Sequence, residues 1–367
     1  MKQKINRVII SGGGTGGHIF PALAIANEIR RRNPDAEILF VGAEDRMEME
    51  KVPAAGYKIV GLPVMGFPRK PSPKMIVFFK KLLQSSAMAR KIVSDFQPEV
   101  AIGVGGYASG PLLRAAAAKG IPTLIQEQNS YAGITNKMLS KKVKTICVAY
   151  DKMNRFFPKE KLVLTGNPVR ENLIQKIDRK TALDFFQLKG ESKVILIVGG
   201  SLGARSINHA VLNNMQTIAD SGVDVIWQTG GLYYDRIMEE IKETKPVNLQ
   251  VHKFIMEMDL AYAAADLVIS RAGAGTISEL CLVGKASVLV PSPNVAEDHQ
   301  TKNAMALVEK EAALMVRDSE INEDLFPLAF STVKEQEKCN ILSEKIKELA
   351  KPEATITIVD EVEKLLK

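Results

Sequence analysis

The sequence lacks several features that mark common protein classes. Only three cysteines occur among its 367 residues, Cys147, Cys281 and Cys339, and they form no C-x-x-C pair. Their scarcity excludes a disulfide framework and a thiolate zinc site, and it predicts a protein of a reducing compartment. No stretch approaches the ~18 uninterrupted apolar residues that a membrane-spanning helix needs. The first predicted strand follows Met1 so closely that we expect no signal peptide.

Two common nucleotide-binding signatures are also missing. The chain has no G-x-x-x-x-G-K-[ST] loop, and it has no aspartates spaced D-x-D that would hold a metal-bound nucleotide. Gly12, Gly14 and Gly17 satisfy G-x-G-x-x-G, but no well-placed acidic residue ends the second predicted strand to hold the ribose of a dinucleotide. Any bound anion must therefore be neutralised by backbone N–H groups, helix dipoles and arginine. We expect no metal and no other cofactor.

The composition is that of a folded globular protein with a mild excess of positive charge. Hydrophobic residues make up 46% and charged residues 25% of the chain, which argues against disorder. A length of 367 residues is enough for two ordinary domains, each with its own core. The net charge of +7 favours anionic partners, such as phosphates, nucleic acid or an anionic membrane surface.

Short apolar runs alternate with longer helical patterns in both halves of the chain. The runs include RVIIS, EILFVG, VAIGVGG, PTLIQE and TICVAY, then KVILIVGG, VDVIWQTG, LQVHKFI, DLVIS and ASVLVPSP. This alternation is typical of parallel strands covered by helices on both faces, and Gly166-Asn167-Pro168 forms a strong turn signal between the halves. We predict an α/β protein with two doubly wound, Rossmann-like parallel-sheet domains facing across a cleft. The predicted domains are 1–165 and 166–350, and a C-terminal helix at 351–367 packs back on the first.

Four of the predicted strands run into a glycine-rich loop and then a helix start. The loops are SGGGTGGH, GVGGYASGP, VGGSLGARS and SRAGAGTISE. Such a loop presents backbone N–H groups and the positive end of a helix dipole to an anion, and glycine permits an approach that a Cβ would block. Tight strand–helix turns also require glycine, so a single loop decides nothing. Four loops on the same predicted side of the sheets favour phosphate binding.

Seven segments in a fixed order connect these loops to a known family. They are SGGGTGGHIFPALAIANEI, GVGGYASGPLLRAA, QEQNSYAGITNK, LTGNPVR, GGSLGARSIN, SRAGAGTISEL and EDHQTKNA. From about Arg7 to the final helix, the chain resembles the bacterial peptidoglycan glycosyltransferases. The resemblance implies GT-B architecture, with UDP-N-acetylglucosamine bound by the C-terminal domain and undecaprenyl-pyrophosphoryl-N-acetylmuramyl-pentapeptide by the N-terminal domain. It also implies inverting transfer of N-acetylglucosamine to the muramyl 4-hydroxyl, a step of cell-wall synthesis that serves cell shape and division.

The resemblance also implies a set of donor-binding residues. Glu279 would take the ribose hydroxyls, and Arg170 and Ser201 would contact the diphosphate. Arg170 can stabilise UDP as it leaves with added negative charge. Ile255 would meet the uracil through its backbone, and Gln300 would meet the sugar hydroxyls. The other implied donor contacts are Thr15, Gly16, Gly17, Asn129, Ala274, Gly275 and Thr276.

One of these donor motifs has a second interpretation. Thr276-x-x-Glu279 is also the pattern of a capping box, which would merely satisfy the start of a helix that we place at Thr276. The residues alone leave both interpretations open.

His18 stands directly behind the first glycine loop, where the implied reaction needs a base. The acceptor hydroxyl must lose its proton on the face opposite UDP, and an imidazole titrates near neutrality without any perturbation. A histidine after such a loop is also a common helix-capping residue, but its setting and the resemblance favour the base. Glu127 is the alternative base, and both Glu127 and Asn129 are candidates for the acceptor side.

Further acceptor-side and membrane-side residues complete the prediction. The acceptor candidates are Gly14, Gly105, Gly106, Tyr107 and Asn136.

On a helix drawn at about 100° per residue, one apolar face carries Met75, Phe78, Phe79 and Leu82. Ile76 and Leu83 extend this face beyond a single buried stripe, and basic residues flank it: Arg69, Lys70, Lys74, Lys80 and Lys81. We expect Ile76, Phe79, Lys80 and Leu83 to contact an anionic membrane surface, because an undecaprenyl-linked acceptor stays in the bilayer. A half-buried helix with a solvated lysine edge is the alternative.

The expected partners are UDP-N-acetylglucosamine, the lipid-linked muramyl-pentapeptide, an anionic membrane surface and other proteins of cell-wall synthesis, but no nucleic acid. We expect a peripheral protein at the cytoplasmic face of the cell membrane.

Two other functions remain open from the sequence. Another GT-B sugar enzyme, such as a UDP-N-acetylglucosamine 2-epimerase or a glycolipid synthase, would share the donor motifs but not QEQNSYAGITNK. A nucleotide-sugar sensor would bind UDP-N-acetylglucosamine without consuming it.

Overall fold

The computed structural model of the chain divides into two compact units. Unit 1 comprises residues 1–169 together with 351–367, and unit 2 comprises residues 170–350. The structure describes residues 4–66, 73–169, 173, 177–200 and 202–366.

Unit 1 is built on a parallel sheet that has seven strands within the described residues. In chain order they are β1 (Arg7–Ser11), β2 (Glu37–Ala43), β3 (Lys58–Leu62), β4 (Val100–Gly103), β5 (Thr123–Glu127), β6 (Thr145–Val148) and β7 (Leu162–Leu164). Their order across the sheet is β3-β2-β1-β4-β5-β6-β7. The direction of winding reverses between β1 and β4, and doubly wound sheets bind ligands at the carboxyl edge of such a switch point.

Helices cover both faces of this sheet. They are α1 (Gly16–Arg32), α2 (Glu48–Ala54), α3 (Lys74–Phe96), α4 (Ser109–Ala118) and α5 (Ile134–Leu139). Val8 and Ile10 of β1 pack with Ile25 of α1 in one core cluster, while Ile9 packs with Leu112 of α4 in another. Since successive side chains of a strand point to opposite faces, β1 is continuously apolar because both of its faces are buried.

Unit 2 repeats the plan with a parallel sheet in the order β10-β9-β8-β11-β12-β13 among its described residues. The strands are β8 (Val194–Val198), β9 (Asp224–Gln228), β10 (Leu249–His252), β11 (Leu267–Ser270), β12 (Ser287–Leu289) and β13 (Leu314–Met315). The helices are α6 (Arg179–Phe185), α7 (Arg205–Asn213), α8 (Met215–Asp220), α9 (Tyr234–Glu240), α10 (Met258–Ala264), α11 (Ala274–Val283), α12 (His299–Val308), α13 (Ile321–Lys334) and α14 (Gln336–Glu348). Ile195 and Ile197 of β8 pack with Ile207 of α7 and Phe326 of α13. The predicted fold class, α/β with two doubly wound parallel sheets, is confirmed.

The last helix, α15 (Ala354–Lys364), belongs to unit 1. Ile358 joins the core cluster that contains α1. Arg32 of α1 donates to Asp360 at 2.7 Å and lies 3.1 Å from Glu363, and it also donates to Glu28 at 2.7 Å. The Glu28 side chain is only 3% exposed. A buried carboxylate needs such partners, so the arginine stabilises α1 and fastens α15 to it at the same time.

Candidate active site

The four glycine-rich loops follow β1, β4, β8 and β11, the strands on either side of the switch point in each unit. In unit 1 the strands are β1 and β4, and in unit 2 they are β8 and β11, each pair being hydrogen-bonded neighbours. The carboxyl ends of neighbouring parallel strands lie at the same edge of a sheet. The fold therefore brings the predicted loops together in pairs, one pair in each unit.

The first glycine loop, residues 12–17, contains glycines of two kinds. A Cβ at Gly12 would lie 2.9 Å from the His18 carbonyl oxygen, and one at Gly13 would lie 2.1 Å from Glu48 Oε1. These two glycines serve the packing of the loop itself. Gly14 has a φ of +87° and open space around its Cβ position, and a Cβ at Gly17 would meet Thr15 Oγ1 at 3.7 Å. Gly14, Thr15 and Gly17 are exposed, so they form the part of the loop that a ligand can approach.

His18 lies in the first turn of α1 and turns its ring back to the glycine loop. Its Nδ1 is 3.1 Å from the carbonyl oxygen of Gly13 and 3.4 Å from Thr15 Oγ1. Because a carbonyl oxygen only accepts, this contact puts the proton of the neutral ring on Nδ1 and makes Nε2 its basic nitrogen. The N-cap of α1 is Thr15, and no side chain caps this helix start. His18 therefore makes no side-chain capping bond at this helix start.

The loop after β4 packs directly on this histidine. A Cβ at Gly105 would lie 2.6 Å from His18 Cδ2, and one at Gly106 would lie 2.6 Å from the Gly13 carbonyl oxygen. Their φ angles are +100° and +89°, a region that favours glycine. Both glycines therefore allow the two loops of unit 1 to touch. Tyr107, the next residue, is 56% exposed.

Glu127 ends β5 and organises the loop that follows it. Its Oε1 accepts from the N–H of Asn129 at 3.1 Å and from the side-chain amide at 3.3 Å. Its Oε2 accepts from the N–H of Gly133 at 3.0 Å and from Asn136 Nδ2 at 2.9 Å. Glu127 is 2% exposed and Asn136 is 3% exposed. A buried carboxylate with four donors is suited to holding a loop, so the geometry favours His18 over Glu127 as the base.

A chain of buried amides beneath this loop was not predicted from the sequence. Gln126 Nε2 donates to Asn167 Oδ1 at 2.8 Å, and Asn167 Nδ2 donates to the Gln128 carbonyl at 3.0 Å. Gln128 Nε2 then donates to the Val104 carbonyl at 2.6 Å. These bonds connect the ends of β4 and β5 to the segment beyond β7. The sequence feature that could have indicated these bonds is the pair of glutamines at the end of the apolar strand PTLIQEQ.

Helix α11 begins two residues earlier than predicted, directly behind the glycine loop after β11. Its N-cap is Gly273 and its first residue is Ala274, so Thr276 occupies the third helical position. A capping box needs serine or threonine at the N-cap, and no side chain caps this helix. The capping-box interpretation of Thr276 and Glu279 is therefore wrong. Gly275 has open space at its Cβ position, which leaves the first turn accessible to an anion.

Glu279 lies in the following turn of α11 and is oriented by a tyrosine. The hydroxyl of Tyr262, on α10, donates to Glu279 Oε2 at 3.1 Å. Tyr262 is 2% exposed, whereas Glu279 is half-buried. The structure thus holds a carboxylate on the same helix whose N-terminus faces the glycine loop.

Gln228 links two segments of the predicted donor site, although the sequence reasoning missed it. Its Oε1 accepts from the N–H of Ile255 at 2.9 Å, and its Nε2 donates to the Gly200 carbonyl at 3.1 Å. The N–H of Ile255 is thus already engaged, and a uracil contact through it must displace Gln228. The sequence feature that could have indicated this role is the single polar residue at the end of the apolar strand VDVIWQ.

The remaining donor candidates differ in how far the structure describes them. Gln300 Oε1 accepts from the N–H of Ser292 at 2.8 Å, so its NH₂ group is the part that it can offer to a sugar hydroxyl. Arg170 and Ser201 lie outside the described residues. No group of three His, Cys, Asp or Glu side chains within the described ranges is arranged to hold a metal ion.

Arg271, in the loop after β11, was also missed by the sequence reasoning. Its guanidinium donates to Asp318 Oδ1 at 2.6 Å, to Ser206 Oγ at 2.6 Å and to the Val290 carbonyl at 3.1 Å. It thereby ties the loop after β11 to α7 and to the end of β12. This arginine is a structural anchor of the glycine loops in unit 2.

The N-terminal half of α3 exposes large apolar side chains. Ile76 is 76% exposed, Phe79 is 52% and Leu83 is 73%, and Lys80 is exposed among them. We call these four residues the α3 patch. The buried residues of α3 come later in the helix: Ser85, Ala89 and Val93. In the part of the chain that the structure describes, no helix combines the length and hydropathy needed to cross a bilayer. The basic residues Arg69 and Lys70 lie outside that part.

Comparison with known proteins places both units in one family. Residues 8–148 match the glycosyltransferase family 28 N-terminal domain, and residues 194–356 match the glycosyltransferase family 28 C-terminal domain. The crystal structure of Acinetobacter baumannii MurG superposes with a TM-score of 0.80 at 31% identity, covering 98% of this chain and 99% of that one.

Two curated relatives are similar along their whole length. A protein of Parabacteroides distasonis is 57% identical over 361 residues, 98% of this chain and 98% of its own. One of Christiangramia forsetii is 55% identical over 368 residues, 100% of this chain and 99% of its own. Both are named UDP-N-acetylglucosamine--N-acetylmuramyl-(pentapeptide) pyrophosphoryl-undecaprenol N-acetylglucosamine transferase. The predicted family is confirmed: the chain belongs to glycosyltransferase family 28, as a member of the transferases that carry this name.

Proposed function

We propose that this protein transfers N-acetylglucosamine from UDP-N-acetylglucosamine to the 4-hydroxyl of undecaprenyl-pyrophosphoryl-N-acetylmuramyl-pentapeptide. The observation that supports this most strongly is the identity of 55–57% to transferases of that name over nearly the whole chain. The reaction is a step of peptidoglycan synthesis.

Unit 2 binds the donor in this proposal. The N–H groups at the start of α11, around Ala274 and Gly275, hold the diphosphate together with Arg170 and Ser201. Glu279 takes the ribose hydroxyls, Ile255 meets the uracil and Gln300 meets the sugar. Charge on the diphosphate is balanced by backbone dipoles and by Arg170, so the donor needs no metal ion.

Unit 1 binds the acceptor and supplies the base. The acceptor oxygen forms a bond to the anomeric carbon while the bond from that carbon to UDP breaks, and the bonding electrons leave with UDP. His18 Nε2 takes the proton of the attacking hydroxyl, because Nδ1 already donates to Gly13. A single displacement converts the α-linked donor into a β-linked product. The loop residues Gly14, Thr15, Gly16 and Gly17 directly precede this base.

The α3 patch gives access to a substrate that stays in the bilayer. Its apolar side chains are already exposed in the folded chain, and anionic headgroups attract neighbouring lysines by about 1 kcal/mol each. We infer that the protein works as a peripheral protein on the cytoplasmic face of the cell membrane, beside other proteins of cell-wall synthesis.

The decisive experiment incubates the protein with labelled UDP-N-acetylglucosamine and a short-chain analogue of the muramyl lipid. A transferase moves the label to the lipid and releases UDP, and the new linkage is β. A 2-epimerase would change the donor sugar without any acceptor, and a sensor would bind the donor and return it intact. Either of these two outcomes would overturn the proposed function.

A further inference from the structure

Glu48 is a buried carboxylate that the reaction as described leaves without a role. It is the first residue of α2 and is 0% exposed. Burying a charge is costly unless hydrogen bonds compensate it. Oε1 accepts from the N–H of Ala43 at 2.9 Å, and Oε2 accepts from the N–H of Gly14 at 2.9 Å. The second of these donors belongs to the glycine loop of unit 1.

Two glycines make room for this carboxylate. A Cβ at Gly13 would lie 2.1 Å from Glu48 Oε1, and a Cβ at Gly42 would lie 2.5 Å from Glu48 Cγ. Both positions must be glycine for Glu48 to reach the loop. Part of the glycine pattern in SGGGTGGH therefore exists to admit a glutamate that stands 34 residues beyond Gly14.

One peptide group connects Glu48 to His18. The N–H of Gly14 donates to Glu48, and the carbonyl of the same Gly13–Gly14 peptide accepts from His18 Nδ1 at 3.1 Å. A peptide group is planar, so fixing its N–H end also fixes the direction of its carbonyl. Hydrogen bonds in such a chain polarise one another, which makes the carbonyl a stronger acceptor.

We propose that Glu48 is a positioning residue that acts on His18 through the Gly13–Gly14 peptide. The carboxylate aligns the peptide, and the peptide holds the imidazole in the form protonated at Nδ1, which makes Nε2 the basic nitrogen. A carboxylate that touches its histidine directly orients the imidazole of hydrolase triads in the same way. This proposal rests on the proposed function of His18.

The test replaces Glu48→Gln, which keeps the shape but removes the charge and one acceptor. We expect kcat to fall roughly 10- to 100-fold, a part of the 10²- to 10⁴-fold that a positioned base contributes, while KM for UDP-N-acetylglucosamine stays unchanged. In a His18→Ala background the same replacement should have no further effect on kcat. Glu50→Gln is the matched control, because Glu50 is an exposed residue of the same helix that pairs with Lys51, and it should leave kcat unchanged.

A loss of kcat of the same size in the His18→Ala background would show that Glu48 only maintains the fold, and it would overturn the proposal. If Glu48→Gln does not fold, the wild-type protein can still be tested, because the ¹⁵N NMR signals of its histidines report which ring nitrogen carries the proton. The proposal requires that neutral His18 is protonated at Nδ1, and protonation at Nε2 would refute it. If instead His18→Ala retains full activity, the assignment of the base fails, which is a separate result.

Discussion

Substitutions in the α3 patch should weaken membrane binding without lowering the stability of the fold. The perturbation is the double change Ile76→Ser with Leu83→Ser, which removes the two most exposed apolar side chains of the patch. Both residues lie within the first three turns of α3, ahead of its buried positions Ser85, Ala89 and Val93. The replacement should therefore act on whatever the patch contacts and not on the core of unit 1.

The exposed fractions set the size of both effects. Full burial of an isoleucine or leucine side chain contributes about 1.5–3 kcal/mol. Ile76 is 76% and Leu83 is 73% exposed, so about a quarter of that contributes to folding, less than ~1 kcal/mol per residue. Insertion into lipid buries the other three quarters, about 2–4 kcal/mol for the pair. Vesicle affinity should then fall roughly 30- to 700-fold.

The assay is co-flotation with vesicles that contain anionic lipid, alongside a thermal melt of each protein. Wild-type binding should weaken as salt rises, because screening shortens the reach of the flanking lysines. The double variant should bind poorly, melt close to the wild-type temperature and still use a water-soluble acceptor analogue. Val93→Ser is the matched control on the same helix: its side chain is 1% exposed, so it should lower the melting temperature and leave vesicle affinity intact. If the double variant melts many degrees lower and its folded fraction binds vesicles normally, these side chains are core and α3 is an ordinary helix.

Three further predictions concern donor binding, metal ions and the C-terminal helix. Glu279→Ala should weaken UDP-N-acetylglucosamine binding about 10- to 100-fold with little change in melting temperature, because Glu279 caps no helix; unchanged affinity in calorimetry would remove the ribose assignment. Chelation by EDTA should leave turnover intact, whereas loss of activity that magnesium or manganese restores would contradict the metal-free donor site. Burial raises the pKa of Glu28, but hydrogen bonds from Arg31 and Arg32 outweigh it and lower the pKa below the ordinary 4.5. The stability that Glu28 contributes is therefore present above pH ~4.5 and is lost as the pH falls through its lowered pKa. Arg32→Met should cost roughly 1–3 kcal/mol at neutral pH and make the acid dependence shallower; a variant whose stability falls as steeply as that of the wild type when the pH drops below ~4.5 would refute this.

The central strands of both sheets could be predicted because burial on both faces makes them continuously apolar. Three strands were missed: β3, β7 and β13. All three lie at an edge of their sheet, and their residues are mostly half-buried or exposed. An edge strand has one neighbouring strand and less cover, so burial on both faces does not set its sequence apart. The edge strand β10 was nevertheless predicted, from LQVHKFI.

Residues of the candidate site could be predicted where they belong to one local sequence motif. The glycine loops and His18 fall into this class, since a strand, a loop and a helix start are adjacent in sequence. Glu48 and Gln228 could not be found in this way, because each acts on a loop that is distant along the chain. The start of α11 was misplaced because Thr276 resembles an N-cap, whereas the extended backbone of Gly273 ends the loop and begins the helix.

The measurement that tests the catalytic role of His18 most directly is the turnover of a folded His18→Ala variant, with its donor affinity measured on the same sample. We predict that kcat falls roughly 10²- to 10⁴-fold, while binding of UDP-N-acetylglucosamine and the melting temperature stay close to the wild-type values. A variant that keeps its specific activity but melts at a lower temperature would contradict the assignment, and His18 would then be a structural residue at the start of α1.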